Sequence, residues 1–203
     1  PTAKLKYKYA KPLFLKTLKD SSINGISFCS VAPTANKRLR EILRSSPNKL
    51  PLFQLTEKTN SFIKIVYPKK EEIGHDRIAN AIAIKAFHKT PSIVIDYGTA
   101  TTFDYISNIG YEGGIIAPGL KIMANYLNNQ TELLPKFTLN KISGSPAAFG
   151  KSTLEAMGIG ISIGFSGMVE NILGHILSKL STRKEKEIKI ISTGGSGYRF
   201  EHN

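Results

Sequence analysis

The sequence predicts an α/β fold, and three observations lead to that prediction. The first third of the chain alternates short β-rich runs with an amphipathic helical segment, which is the rhythm of a β-α-β unit. Residues 93–95 are three consecutive β-branched residues, a composition typical of a strand buried on both faces. Turn residues at Gly98 and Gly110 then separate two further β-rich runs.

The bulk properties indicate a water-exposed globular chain. Its 203 residues, of which 41% are hydrophobic, suit one or two domains with a sizeable core. The single cysteine, Cys29, excludes an internal disulfide and is expected to be a small core residue. The apolar residues 157–169 are too few to span a bilayer. No signal peptide is recognised, although the chain starts at Pro1 and a native N-terminus is expected upstream; we therefore expect a cytoplasmic protein without a membrane segment.

The net charge is +13, and most of the excess lies in the first 72 residues. Such a basic lobe could attract nucleic acid or anionic metabolites. The lysines are scattered, however, and no DNA-reading motif accompanies them. Solvated basic faces are therefore the favoured interpretation, and nucleic-acid binding is not expected.

The first half predicts a helix from about residue 12, then strands over residues 23–31, 52–55 and 62–66. Between the first two strands, Thr34 or Asn36 can cap a helix that runs to Arg44. A further helix begins near Asp76 and covers residues 77–87.

Asp76 has three possible roles. It can be the N-cap of that helix, it can pair with Arg77, or it can be a general base beside a hydroxyl substrate. Spacing alone favours the cap. The adjacent His75 has no second metal ligand at suitable spacing, so a solvent contact or a supporting role is favoured over metal ligation.

Residues 93–119 predict strand, turn, strand, turn and strand. Asp96 ends the first strand beside Gly98 and Thr99. Backbone N–H groups in such a turn can cradle phosphate, and the carboxylate can hold a cation. A structural hairpin with an Asx turn is the alternative, and the Asp-x-Gly-Thr pattern of residues 96–99, taken by itself, favours that alternative. The second turn and the Gly113-Gly114 pair favour a site.

The last third predicts a helix over residues 120–127 and a long helix from about residue 151 to 180. Four glycines of the long helix are unfavourable in isolation, so we expect a second subunit or lobe to pack closely there. A strand over residues 188–192 leads into Thr193-Gly194-Gly195, a loop that can lie flat against a nucleotide.

These motifs together resemble type III pantothenate kinases, of the acetate and sugar kinase, chaperone and actin superfamily. The similar segments are Gly74-His-Asp-Arg77, Asp96-Tyr-Gly-Thr99 with residues 113–119, Gly150-Lys-Ser-Thr153, Thr193-Gly-Gly195 and the Ser30-Val-Ala-Pro33 turn. The ordered set is specific, although each motif alone is modest.

The resemblance implies duplicated ribonuclease-H-like, actin-like ATPase lobes with mixed sheets, over residues 1–90 and 91–203. It implies a kinase that phosphorylates pantothenate to 4'-phosphopantothenate with ATP, the first step of coenzyme A biosynthesis. A monovalent cation (potassium or ammonium) and magnesium are the implied cofactors. The implied assembly is a homodimer with a shared active site.

The resemblance also implies a role for each matching residue. Asp76 is the base, and Asp96 binds the monovalent cation. Pantothenate is bound by Asp76 together with Tyr67, Gly74, His75, Arg77 and Thr153, the last from the neighbouring subunit. ATP is bound by Gly98, Thr99, Gly194 and Gly195.

Four departures from the family pattern stand out. The family's first phosphate loop, Asp-x-Gly-Asn-Thr, and its terminal helical segment are not in this sequence; either they lie outside the given chain, or the protein cannot turn over ATP. We expect the first, because the half-sites that are present would have little use alone. Tyr67 is followed by Pro68-Lys-Lys where the family usually has Asn-Pro two residues on. His75 occupies a position that is often Ala.

The leading function is the kinase, and two non-catalytic alternatives remain. One is a regulatory protein like the Bvg accessory factors, which would bind nucleic acid or a protein partner through the basic first lobe. The other is a nucleotide sensor. Strong salt dependence of duplex binding would favour the regulatory protein.

Overall fold

The chain forms two compact units, Pro1–Ala83 and Ile84–Asn203. The structure is a computed structural model that describes residues 12–46, 49–139, 147–183 and 187–195. The boundary between the units falls inside the helix His75–Phe87, which begins in the first unit and ends in the second. The predicted α/β class is confirmed, because both units combine strands with helices.

The first unit contains one β-α-β crossover. Its elements are helix α1 (residues 12–17), strand β1 (Ile26–Phe28), helix α2 (Pro33–Arg44), strand β2 (Leu52–Gln54), a 3₁₀ turn (Lys70–Glu72) and the start of helix α3 (His75–Phe87). Strands β1 and β2 pair in parallel, with Ile26 opposite Leu52 and Phe28 opposite Gln54. Both strands therefore end at the same edge of this small sheet.

The first unit departs from the prediction in its strand lengths and in the start of α2. Strand β1 keeps three of the nine residues expected over 23–31, because β2 is only three residues long. The N-cap of α2 is Ala32, without a side-chain cap, so the expected caps Thr34 and Asn36 are wrong. Pro33 opens the helix instead, since its fixed φ suits the first helical position.

The strand expected over residues 62–66 is also wrong. Only an isolated bridge at Ile65 remains there. The side chain of Asn60 explains the difference, because its Oδ1 accepts hydrogen bonds from Phe62 N at 3.1 Å and Ile63 N at 3.2 Å, and its Nδ2 donates to Ile63 O at 2.7 Å. An Asn side chain that satisfies the backbone in this way turns the chain away from a ladder.

The second unit is built on a four-stranded mixed sheet. Its strands are β3 (Ser92–Tyr97), β4 (Ala100–Ile106), β5 (Tyr111–Pro118) and β6 (Lys189–Thr193). The order across the sheet is β5-β4-β3-β6, with β3 antiparallel to β4, β4 antiparallel to β5, and β3 parallel to β6. The predicted succession of strands and turns over residues 93–119 is thus confirmed.

Two helices cover one face of this sheet. Helix α4 (Leu120–Asn129) and helix α5 (Thr153–Ser181) pack apolar side chains on it, and the predicted positions of both helices are confirmed. The core of the unit is formed by residues from the sheet and from α5, among them Ile95, Phe103, Tyr105, Ile161 and Phe165.

Helix α5 is much longer than the apolar stretch that the sequence singled out. With 29 residues it is long and apolar enough to cross a membrane, by length and composition alone. One such helix is weak support for a membrane span, because a helix of a soluble protein's core has the same properties. Met157, Ile161, Phe165 and Leu180 of this helix are buried within the unit.

Candidate active site

The first candidate site lies at the start of helix α3. The helix begins at His75, and the carbonyl of Gly74 accepts hydrogen bonds from Arg77 N at 3.0 Å and Ile78 N at 3.2 Å. Asp76 is exposed and belongs to the first turn, where Arg77 N donates to its Oδ1 at 2.9 Å. The expectation that Asp76 is the N-cap is therefore wrong. The first turn is a position where the helix dipole favours a negative charge.

Gly74 is required by a close approach between backbone and carboxylate. A Cβ atom there would lie 2.5 Å from Asp76 Oδ1 and 3.4 Å from Val31 Cγ1. Val31 follows β1, so the Asp76 carboxylate lies near the end of that strand. The same proximity acts on Cys29: burial first, and the negative charge of Asp76 second, raise the pKa of its thiol.

His75 makes two polar contacts within the first unit. Its Nδ1 lies 3.1 Å from the carbonyl oxygen of Ser30, and its Nε2 lies 3.3 Å from Oε2 of Glu57. Within the part of the chain that the structure describes, no group of three or more His, Cys, Asp or Glu side chains is placed to hold a metal ion; that His75 is not a metal ligand stays a prediction. Glu57 carried no motif in the sequence, so its contact with His75 was not foreseen.

Two further residues predicted to bind substrate lie in this unit. Arg77 is half-buried and follows Asp76 directly in α3. Tyr67 is half-buried and lies in the irregular segment before the 3₁₀ turn. The binding of pantothenate by Tyr67 stays a prediction.

The second candidate site lies where β3 and β6 end. Asp96, half-buried, is the last residue but one of β3 and pairs with Thr193 of β6. A Cβ atom on Gly194 would lie 2.6 Å from Asp96 Oδ1 and 2.6 Å from Tyr97 N, and the φ of Gly194 is +97°. Only glycine combines that φ with so close an approach. The structure thus brings two residues predicted for different ligands, Asp96 and Gly194, into contact distance.

The β3–β4 turn and the start of α4 meet at the same end of the sheet. Gly98 and Thr99 connect β3 to β4, and Gly98 N donates to Ala100 O at 3.1 Å. A Cβ atom on Gly119, the N-cap of α4, would lie 2.1 Å from Thr99 O and 2.6 Å from Gly98 O. The start of α4 therefore rests on the β3–β4 turn. Glycine turns and a helix start are features that bind anions.

The Gly113-Gly114 pair lies away from this end. Gly114 pairs with Asp104 and Gly113 with Tyr105 in the β4–β5 ladder, whereas Ala100 pairs with Pro118 next to the β3–β4 turn. These two glycines instead line a separate groove with residues of α5. Their contribution to the candidate site, as inferred from the sequence, does not follow from the structure.

Asp104 is a buried polar group for which the sequence had suggested no role. It is fully buried and lies on β4, where its Oδ1 accepts from Tyr111 Oη at 2.8 Å and its Oδ2 accepts from Thr102 Oγ1 at 3.2 Å. Thr102 is the β4 partner of Asp96 in the ladder. A carboxylate in a strand of alternating polar residues was the available signal.

Thr153 opens helix α5 and is exposed. The helix start resembles a capping box: Ser152 Oγ accepts from Glu155 N at 3.3 Å, and Glu155 Oε2 accepts from the backbone N of Lys151, the residue before the N-cap, at 2.7 Å. A Cβ atom on Gly150 would lie 2.3 Å from Ala156 N, so the chain folds back tightly before the helix. The Gly-Lys-Ser-Thr motif thus forms a fixed helix start with Thr153 at its tip.

Taken together, the two units define a mixed α/β protein whose strand ends carry carboxylate, threonine and glycine, the groups that handle phosphate esters. Comparison with known proteins gives the particular family. The sequence profile described as type III pantothenate kinase matches residues 3–175. The chain belongs to the type III pantothenate kinase family, so the resemblance inferred from its motifs is confirmed.

Individual relatives agree with this assignment. A type III pantothenate kinase of Streptomyces avermitilis is 36% identical over 185 residues, which cover 91% of this chain and 68% of the relative. One of Pelagibacter ubique is 36% identical over 194 residues, 95% of this chain and 74% of the relative.

A solved structure from Campylobacter jejuni shows the same fold. That protein is assigned to the Baf family of transcriptional activators; it is 23% identical, has a TM-score of 0.54, and the match covers 94% of this chain and 78% of its own.

Proposed function

We propose that this chain phosphorylates pantothenate with ATP and produces 4'-phosphopantothenate, the first step of coenzyme A biosynthesis. Membership of the family carries the proposal. One structural observation supports it most directly: the Gly-x-Asp-Arg segment forms the first turn of α3 with an exposed Asp76 carboxylate.

In this proposal Asp76 is the catalytic base. Its carboxylate accepts the proton of the primary hydroxyl of pantothenate as that oxygen attacks the γ-phosphorus of ATP. The new O–P bond forms while the bond to the leaving ADP oxygen breaks. Because the transition state of phosphoryl transfer is loose, the hydroxyl loses its proton late and a carboxylate suffices as the base.

Pantothenate is bound around that base. Arg77 offers a planar guanidinium that can pair with the pantothenate carboxylate through two hydrogen bonds. Gly74, His75 and Tyr67 line the rest of the pocket on the same unit. The backbone at Gly74 supports this assignment, since it approaches the Asp76 carboxylate so closely that a side chain would displace it.

ATP is bound by the second unit. Gly98 and Thr99 present backbone N–H groups and a hydroxyl to phosphate oxygens at the turn on which α4 begins. Gly194 and Gly195 follow β6 and lie flat against the nucleoside. The meeting of both turns beside Asp96 supports this division.

Two cations complete the proposal. Asp96 holds a monovalent cation, potassium or ammonium, and the fit is supported by the carboxylate oxygen that approaches the Gly194 backbone, since hard cations take oxygen ligands. Magnesium enters with ATP, because Mg²⁺ is commonly held by substrate phosphates with few protein carboxylates. When bound, these cations neutralise phosphate charge.

A homodimer with shared active sites belongs to the same proposal. Thr153 would reach pantothenate bound to the neighbouring subunit, and its exposed place at the tip of α5 supports this role. The duplicated ribonuclease-H-like lobes over residues 1–90 and 91–203 and a cytoplasmic location are proposed on family grounds alone.

The regulatory alternative is not favoured. The solved Baf-family structure is too distant in sequence to transfer more than its fold. Within unit one the positive charges are spread over several elements, as expected for solvated faces.

A coupled assay tests the proposed function. ADP release is measured for the wild type, in the longest natural form of the chain, with and without pantothenate. We expect ADP release that depends on pantothenate, and we expect Asp76→Asn to lower kcat by about 10²–10⁴-fold, the usual contribution of a general base. If ADP release by the wild type is the same with and without pantothenate, the proposed function is wrong. If Asp76→Asn keeps full activity, Asp76 is not the base.

A further inference from the structure

The imidazole of His75 is held at both ring nitrogens by groups that only accept hydrogen bonds. Nδ1 faces the carbonyl of Ser30 at 3.1 Å, and Nε2 faces the carboxylate of Glu57 at 3.3 Å. A neutral imidazole donates from one nitrogen only, so both contacts are hydrogen bonds only when the ring carries both protons. The ring thus links two segments that lie far apart in the sequence to the residue that precedes Asp76.

Glu57 is itself held in a well-bonded turn directly after β2. Thr56 N donates to Thr59 Oγ1 at 2.8 Å, and Thr59 Oγ1 donates back to Gln54 O at 2.7 Å, the last residue of the strand. The Glu57 side chain is only 16% exposed. Its carboxylate therefore has a defined position relative to β2.

His75 contacts Ser30 and Glu57 beyond the carboxyl ends of β1 and β2, the place where α/β proteins bind their substrates. Ser30 lies two residues after β1 and Glu57 three residues after β2, and the two strands are parallel. Ligands of such sheets bind beyond the carboxyl ends of the strands. Asp76 lies at this edge as well, since its charge acts on Cys29, the residue after β1.

We propose that Glu57 is a positioning residue for phosphoryl transfer and acts through His75. By fixing the ring of His75 against Ser30, it holds the first turn of α3, and with it the Asp76 carboxylate, at the carboxyl end of β1 and β2. The inference rests on the proposed role of Asp76 as the base. Mutation of a residue that holds a functional group in place typically costs about 10–100-fold in activity.

Four variants test the proposal: Glu57→Ala, Glu57→Gln, His75→Ala and the double variant Glu57→Ala/His75→Ala. We expect Glu57→Ala to lower kcat about tenfold, a factor equal to about 1.4 kcal/mol, with KM for ATP unchanged. Glu57→Gln should restore most of kcat, because the amide can accept from a protonated Nε2 or donate to a neutral one. Glu41→Ala, at an exposed glutamate of α2, is the matched control.

The double variant separates positioning from general stability. If Glu57 acts only through His75, adding Glu57→Ala to His75→Ala causes no further loss of kcat, because residues of one network are not additive. Two losses that multiply would overturn the proposal. So would a folded Glu57→Ala enzyme whose kcat lies within twofold of the wild type. A lower melting temperature with unchanged kcat would show a purely structural contact.

Alkylation of Cys29 provides a readout that does not require turnover. The thiol responds to the charge of Asp76, so a displaced carboxylate changes the alkylation rate in Glu57→Ala, and Glu57→Gln restores it. If the wild type does not phosphorylate pantothenate and this rate still shifts, the proposed function fails while the positioning holds. If the wild type is active and neither kcat nor the rate shifts, the positioning fails alone.

Discussion

Gly194 lies so close to Asp96 that a Cβ atom on it would come within 2.6 Å of the carboxylate Oδ1. The φ of Gly194 is +97°, a conformation that residues with a side chain rarely adopt. The end of β6 therefore lies directly against the end of β3, an arrangement that only glycine at position 194 permits.

Gly194→Ala should destabilise the protein by about 1–3 kcal/mol, because it combines backbone strain with the steric clash. The measurement is the free energy of unfolding in urea. Gly195→Ala is the matched control for stability, since a Cβ atom there meets nothing within 4 Å. Equal stability of the two variants would mean that β6 does not end against Asp96 as described.

Asp76→Asn should accelerate alkylation of Cys29. Burial and the negative charge of Asp76 raise the pKa of the thiol, so removing the charge lowers that pKa and increases the thiolate fraction at a given pH. The rate with iodoacetamide at pH 8 measures it, and the chain has only one cysteine to report. Asp20→Asn, an exposed substitution in the same unit, should leave the rate unchanged; an unchanged rate in Asp76→Asn would separate the two side chains.

Asp96→Ala should abolish any activation by potassium. Under the proposed function, the carboxylate holds the monovalent cation that neutralises charge on the ATP phosphates, so its loss should make turnover equal in potassium and sodium. The measurement is kcat in each salt at constant ionic strength, compared with that of the wild type. A full potassium response in the variant would assign the cation to other ligands.

The ion pair between Glu112 and Arg183 should support stability at neutral pH but not in acid. Burial disfavours the charged form of Glu112, but the Ser107 hydroxyl and the Arg183 guanidinium, whose Nη1 lies 2.7 Å from Oε2, outweigh it and lower the pKa below its ordinary value of 4.5. A lowered pKa adds stability above the unfolded value, and that stability is lost as the pH falls through the folded pKa.

The melting temperature of Glu112→Gln should accordingly lie below that of the wild type at pH 7, and the difference should shrink below pH 4.5, the ordinary value of the group. Glu132→Gln, at an exposed position of the same unit, is the control and should show no such trend. A pH-independent difference for Glu112→Gln would mean that the ion pair contributes nothing to folding.

Under the proposed homodimer, Gly160→Leu should convert the dimer into monomers without unfolding the chain. A Cβ atom at Gly160 meets nothing within 4 Å in one chain, whereas one at Gly158 would lie 3.3 Å from the Phe137 ring. Leucine at 160 therefore fits the single chain and blocks only a neighbour that packs there. Light scattering measures the mass; Gly158→Leu, in contrast, should lower the melting temperature. An unchanged mass for Gly160→Leu places the subunit contact elsewhere.

Periodicity in the sequence predicted the second unit better than the first. The β-branched run at residues 93–95 and the turns after it are local signals, and the strands pair with their sequence neighbours. In the first unit the strands are three residues long, and their limits depend on pairing between distant segments. Residues 62–66 have the apolar content of a strand, but the side chain of Asn60 binds the backbone at Phe62 and keeps the segment from pairing.

The sequence predicted only those residues of the candidate site that belong to recognisable motifs. Gly74 through Arg77 and the Gly98-Thr99 turn carry recognisable patterns, so their residues could be named. Glu57 and Asp104 could not, because the value of each depends on a partner in space: His75 for the first, Tyr111 and Thr102 for the second. Asp76 is not the N-cap, because helix α3 begins earlier than expected, at His75, directly after Gly74.

The contact of Gly119 with the β3–β4 turn limits how this enzyme can be diversified. With the carbonyl oxygen of Thr99 only 2.1 Å from where a side chain would start, a library that randomises both turns should return glycine at 119 in nearly every folded clone. Selection could vary residue 100 only while that constraint is respected, and Thr99 is restricted further by its proposed contact with ATP phosphate. Substitutions in the β3–β4 turn and at the start of α4 will therefore be accepted only in compatible combinations.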